Sequence, residues 1–129
     1  MSERPPLEAI TVLDLASIGP AARASRWLAD WGADVVKVGP TSKDAAVQIE
    51  PPVHAYGAHR GMRRVLLDLK SDSGREAFLR LVSAADVGIE SFRPGVIDRL
   101  GIGWEALRAT NPRIVLCSTT GFGQTGPRS

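Results

Sequence analysis

Ile10-Thr11-Val12-Leu13-Asp14-Leu15, Gly19-Pro20, Ala21 through Trp31, Gly32 and Val35-Val36-Lys37-Val38 together decide the fold. The first run is short, apolar and rich in β-branched residues, the pattern of a buried strand. After the Gly-Pro break, Ala24, Trp27, Leu28 and Trp31 recur at helical spacing until Gly32 ends the segment. A second β-branched run follows. A strand, a helix and a strand in close succession read as a parallel crossover unit.

The rest of the chain repeats that alternation. Val65-Leu66-Leu67-Asp68-Leu69 reads as a third strand and Asp86-Val87-Gly88-Ile89-Glu90 as a fourth. Between them, Phe78, Leu81, Val82 and Ala85 form one helical face. Ser71 or Ser73 can cap this helix, and Ser73 with Glu76 fits a reciprocal capping box. A short helix is expected to start at Pro94 and another to span Trp104 to Ala109, before a last strand at Arg113–Ser118. The segment from Gly39 to Met62 has five Pro or Gly residues after its first and no clean period, so it reads as a long loop. The expected class is α/β: a Rossmann-like parallel sheet of about five strands with flanking helices, forming one domain over residues 1–129. Trp27, Trp31 and Trp104 read as core.

The composition narrows function. The 129 residues carry 43% hydrophobic and 23% charged side chains, with 16 Lys+Arg against 14 Asp+Glu. A net charge of +2 is too small to imply nucleic acid or a membrane surface as partner. The opening residues lack the apolar stretch of a signal peptide, and no run is long enough to span a bilayer, so a cytoplasmic domain is expected. One cysteine, Cys117, excludes an internal disulfide and reads as a small buried hydrophobe. His54 and His59 lie in the long loop without a second ligand pattern, which argues against a metal site.

Parallel sheets bind ligands beyond the carboxyl ends of their strands. The segments that begin at Ala16, Gly39, Lys70, Ser91 and Thr119 are therefore the candidates. Arg93 and Arg99 flank a short helix at such an end, where guanidinium forks and backbone N–H groups can hold phosphates, although a solvated helix face has the same composition. Lys70 is equally open to either reading. Asp14 could act as a base, but a strand-end hydrogen bond explains it as well. Gly121-x-Gly123-x-x-Gly126 has dinucleotide-fingerprint spacing after a strand, yet Pro127 rather than a helix follows it.

The same segments carry a resemblance. Ala16-Ser17-Ile18-Gly19-Pro20, Leu28 through Val38, Leu67-Asp68-Leu69-Lys70-Ser71, Glu90-Ser91-Phe92-Arg93-Pro94-Gly95-Val96, Arg99-Leu100-Gly101 and Gly121 through Pro127 are similar, in order, to class III coenzyme A transferases. That family includes formyl-CoA transferase, carnitine CoA-transferase and α-methylacyl-CoA racemase.

The resemblance implies an acyl-CoA-binding, Rossmann-like N-terminal portion of such an enzyme. Its chemistry would be CoA transfer between carboxylic acids or epimerisation of a 2-methylacyl-CoA. Carried over by position, it implies cofactor contacts at Leu67, Leu69, Lys70, Glu90, Ser91, Phe92 and Arg99. Gly39-Pro40 stands where many relatives carry an arginine, and Ala21-Ala22 where racemase-like members carry a second Gly-Pro. Family nucleophiles and bases fall beyond the position that matches Ser129. The chain alone is therefore expected to be inactive: a gene fragment, or one half of a split enzyme that a second chain completes, in a family whose members are interlocked homodimers. A stand-alone CoA- or nucleotide-binding module, a dinucleotide oxidoreductase module and a decayed product that does not fold are the alternatives.

Overall fold

The computed structural model describes residues 3–16, 19–41 and 60–129. Five strands are present in these segments: β1 (Thr11–Asp14), β2 (Asp34–Gly39), β3 (Arg63–Leu66), β4 (Val87–Glu90) and β5 (Val115–Ser118). The helices are α1 (Gly19–Asp30), α2 (Asp72–Ser83), the single turn α3 (Val96–Arg99) and α4 (Trp104–Thr110). All four strand pairings are parallel and the order across the sheet is β3-β2-β1-β4-β5. The chain thus builds outward from β1 through β2 to β3, then returns to the other side of β1 for β4 and β5. This is the expected α/β parallel architecture. The expected long loop and both histidines lie almost wholly outside the described residues.

Alternation along the central strands feeds two cores, one on each face. Leu13, Val36 and Val38 meet Phe78 and Val82 of α2 and Leu107 of α4 on one face. Val12, Val35 and Ile89 meet Ala21 of α1 on the other. Burial on both faces is why these strands read as unbroken apolar runs.

Strand β3 runs from Arg63 to Leu66 rather than from Val65 to Leu69, because Leu67 and Leu69 lie in the turn that follows and pack on the α2-side core. Four further details differ from the expectations, each for a physical reason. Helix α1 faces the sheet with Ala21, Ala22 and Ser25, while Trp27 and Trp31 are 64% and 63% exposed. A stripe of small residues lets the helix axis approach the strands closely, and indoles on that side would push it away. The Ser25 hydroxyl is satisfied inside α1 by donating to the Ala21 carbonyl at 3.2 Å. Trp104 is also exposed, because α4 turns Leu107 inward instead. Cys117 is exposed rather than buried. It lies on β5, an edge strand, on the same face as the exposed Val115, where no described helix covers the sheet.

The fourth difference concerns helix starts. Ser71, not Ser73, caps α2: its hydroxyl accepts the Gly74 N–H at 3.0 Å. The reciprocal box is absent because Gly74 holds the third helical position and has no side chain to reach back. Glycine is required there by space, since a Cβ would stand 1.9 Å from the Asp68 carbonyl oxygen. Likewise α3 begins at Val96, two residues after Pro94. At the far end of α2, Asn111 Nδ2 donates to the carbonyls of Val82 and Ala85 at 3.0 and 2.7 Å. A side chain from the α4–β5 connection therefore closes the α2 terminus.

Candidate functional site

Because the five described strands are all parallel, their carboxyl ends and outgoing loops share one rim. Three of those ends turn by the same local device. The strand-end carboxylate of Asp14 accepts the Ala16 N–H at 2.7 Å, that of Glu90 accepts the Phe92 N–H at 2.7 Å, and Asp68, just past β3, accepts the Lys70 N–H at 3.0 Å. A carboxylate that accepts from two residues ahead folds the chain sharply and satisfies a backbone donor that no ladder can reach. Asp14 and Glu90 are buried, at 0% and 2% exposure, so these carboxylates belong to the framework.

The rim cations behave oppositely. Arg64, Lys70, Arg93 and Arg99 are all exposed, and none has a carboxylate partner among the described residues. Arg63 differs: it pairs with Asp34 at the other end of β2. The Arg99 guanidinium folds back over Gly95, 3.1 Å from where a Cβ would stand. Arg75 ties two of the loops together. Its guanidinium donates to the Lys70 carbonyl at 3.2 Å, and its stem lies 3.3 Å from the Cβ position of Gly101, just after α3. The Lys70 turn and the loop that follows Arg99 are therefore neighbours, held by a side chain that sequence pattern did not single out.

The remaining expected site residues divide by burial. Leu67, Leu69 and Phe92 are half-buried and pack on the α2-side core, which fixes the backbone on which Lys70 and Ser91 sit. Ser91 is half-buried on the turn after β4. Glu90 lies at the same turn, but its carboxylate is engaged with Phe92 N–H and its carbonyl accepts Thr119 N–H at 3.0 Å. The Gly121–Gly126 stretch is exposed and irregular, and no helix begins there. It lacks the helix N-terminus that a dinucleotide fingerprint needs.

Beneath the rim lies a pair that the sequence reading passed over in part. Lys37 Nζ stands 3.3 Å from Asp14 Oδ1 and its side chain is only 11% exposed. Burial pulls the Lys37 ammonium below its usual range; Asp14 opposes the shift and the neighbouring Arg64 adds to it. Among the described residues no cluster of His, Cys, Asp and Glu could hold a metal ion, and no helix is long and apolar enough to cross a membrane.

Residues 7–129 match the model of CoA-transferase family III. The chain belongs to that family. It is 38% identical to succinate–glutarate CoA-transferase of Agrobacterium fabrum, over 98% of this chain and 35% of that protein. It is 36% identical to the beta subunit of succinyl-CoA–L-malate CoA-transferase of Chloroflexus aurantiacus, over 95% of this chain and 32% of that subunit. A crystal structure of Rv3272 from Mycobacterium tuberculosis superposes with a TM-score of 0.88 at 36% identity, covering 98% of this chain and 36% of the other. This member of CoA-transferase family III thus spans about a third of the length of these relatives.

Proposed function

We propose that residues 1–129 form the domain that holds acyl-coenzyme A on the strand-end rim of a class III CoA-transferase. The observation that carries this reading is the sorting of charge at the rim. Carboxylates are engaged by backbone N–H groups, while Lys70, Arg93 and Arg99 are exposed and have no carboxylate partner among the described residues. Such a surface suits a ligand with several phosphates and a neutral pantetheine arm. Lys70 and Arg99 are the proposed phosphate contacts. Leu67, Leu69, Ser91 and Phe92 would line the path of the arm, with Glu90 shaping the turn that carries Ser91 and Phe92. Acyl-coenzyme A, when bound, would supply the thioester from which CoA passes to a second carboxylic acid.

Transfer between carboxylic acids is favoured over epimerisation because the matched relatives are named as CoA-transferases. We place the acyl-accepting nucleophile outside this chain. The rim carboxylates nearest the site, Asp14, Asp68 and Glu90, are each committed to a backbone N–H. A second polypeptide segment would complete the centre, a reading supported by the subunit name of the Chloroflexus relative. The location of that assembly in the cytoplasm is part of the same proposal.

Arg99→Ala tests the reading. Loss of charge-assisted bonds should weaken CoA binding by about 1.5–3 kcal/mol, about 10- to 150-fold, by titration calorimetry. Unchanged affinity removes Arg99 from the site, and CoA exchange catalysed by the purified chain alone would overturn the placement of the nucleophile.

A further inference from the structure

One row of side chains crosses three strands on the α1-side face of the sheet. Asp14 on β1 is level with Lys37 on β2, and Lys37 is level with Arg64 on β3. Cross-strand neighbours share a face, so the row reads minus, plus, plus. Its single carboxylate is taken up by Lys37 and by the Ala16 N–H. Arg64 is left with no carboxylate among the described residues and presses its charge against Lys37. The outer end of the row is therefore cationic without an internal counter-charge.

Gly39 decides where that charge goes. It is the last residue of β2 and lies two residues beyond Lys37, on the same face. Where a Cβ would stand on Gly39, the nearest atoms are Leu66 Cδ2 at 3.3 Å and the Arg64 guanidinium nitrogens Nη2 and Nε at 3.5 and 3.6 Å. The guanidinium thus lies across a bare stretch of backbone at the carboxyl end of the second strand. In doubly wound sheets that end meets the ribose of an adenosine cofactor. A carboxylate there accepts from free ribose hydroxyls, whereas an arginine accommodates a phosphate on the ribose. Here the strand end reads Gly39-Pro40-Thr41, with no carboxylate, and an arginine covers it.

We propose that Arg64, laid over Gly39 and backed by the Lys37 charge, is the contact for the ribose phosphate of the adenosine moiety, and so selects a 3′-phosphorylated coenzyme over its dephosphorylated form. This rests on the reading that the rim binds coenzyme A. It adds a specificity residue on β3, apart from the Lys70 and Arg99 contacts.

The test is titration calorimetry of the 129-residue chain with coenzyme A and with dephospho-coenzyme A. The wild-type chain should prefer coenzyme A by at least about tenfold, the yield of one charge-assisted contact. Arg64→Ala should abolish that preference while leaving the affinity for dephospho-coenzyme A unchanged. Gly39→Glu, which sets a carboxylate against the guanidinium, should lower the ratio in the same direction. Equal binding of both ligands by the wild-type chain overturns the proposal and leaves the coenzyme reading intact. An equal loss for both ligands in Arg64→Ala also overturns it, since that is the mark of a general field. Binding of neither ligand by the wild-type chain overturns both readings. The wild-type comparison needs no variant to fold.

Discussion

Lys37→Met isolates the energetics of the charge beneath the rim. The substitution keeps a long apolar stem and removes the ammonium that stands 3.3 Å from Asp14 Oδ1. Asp14 is fully buried, and its Oδ2 already lacks a hydrogen-bond partner. Removing one member of such a pair strands the other charge in low dielectric, at a cost of about 3–5 kcal/mol. A domain of this kind holds about 5–15 kcal/mol in total, so the loss is a large fraction of its stability. At about 4 °C per kcal/mol for a chain of this size, the thermal midpoint should fall by about 10–20 °C, followed by far-UV circular dichroism. The double variant Asp14→Asn/Lys37→Met keeps an oxygen that can accept the Ala16 N–H and carries no charge at either position. It should lie within about 2 kcal/mol of the wild-type protein. The two changes together then cost less than Lys37→Met alone, a coupling that urea unfolding of the full cycle measures. A double variant as unstable as the single one would refute the reasoning. The loss would then belong to the packing of the lysine stem and not to the stranded charge.

Gly74→Ala puts a methyl 1.9 Å from the Asp68 carbonyl oxygen and should cost about 2 kcal/mol or more, although alanine normally favours a helix. An unchanged or raised midpoint would show that the α2 start can shift freely. Phe78→Ala, at a side chain 1% exposed between α2 and the sheet, should cost about 3–5 kcal/mol in the same assay. Cys117 should react with an aromatic disulfide reagent without denaturant, and protection of the thiol would restore the buried reading.

The strands were legible because β1, β2 and β4 are buried on both faces and so give unbroken β-branched runs. The edge strand β3 begins two residues before its apolar run. Its own residues, Arg63 and Arg64, are exposed and polar, while the apolar residues Leu67 and Leu69 belong to the following turn that packs on α2. Helix α1 misled for a different reason. Its segment has two stripes of the same period, one small (Ala21, Ala22, Ser25) and one large (Trp27 and, just past the helix end, Trp31), and periodicity cannot say which meets the sheet. Only the closeness of the sheet decides that. Motif order was enough to place Lys70, Ser91 and Arg99 on a single rim, because parallel strands put every carboxyl end on one side. Arg75 and Arg64 were not legible, since each acts through a neighbour that is remote in sequence: Gly101 for one, Gly39 for the other.

A common cause underlies the sorting of charge at the rim. Each strand that leaves a parallel sheet exposes a backbone N–H just past its last ladder bond, and that donor needs an acceptor. A short carboxylate at the strand end reaches it two residues ahead, as Asp14 and Glu90 do from β1 and β4. Arginine and lysine offer no acceptor, so they cannot take this role and remain free to extend outward. The turning chemistry of the sheet thus engages the negative groups locally and leaves the positive ones without a carboxylate among the described residues, which is what the proposed coenzyme site needs. If this is right, charge reversal at an outward cation should disturb binding without disturbing the fold. Replacing Glu90 by Gln, which keeps the acceptor, should disturb neither, whereas Glu90→Ala should loosen the Phe92 turn and weaken both.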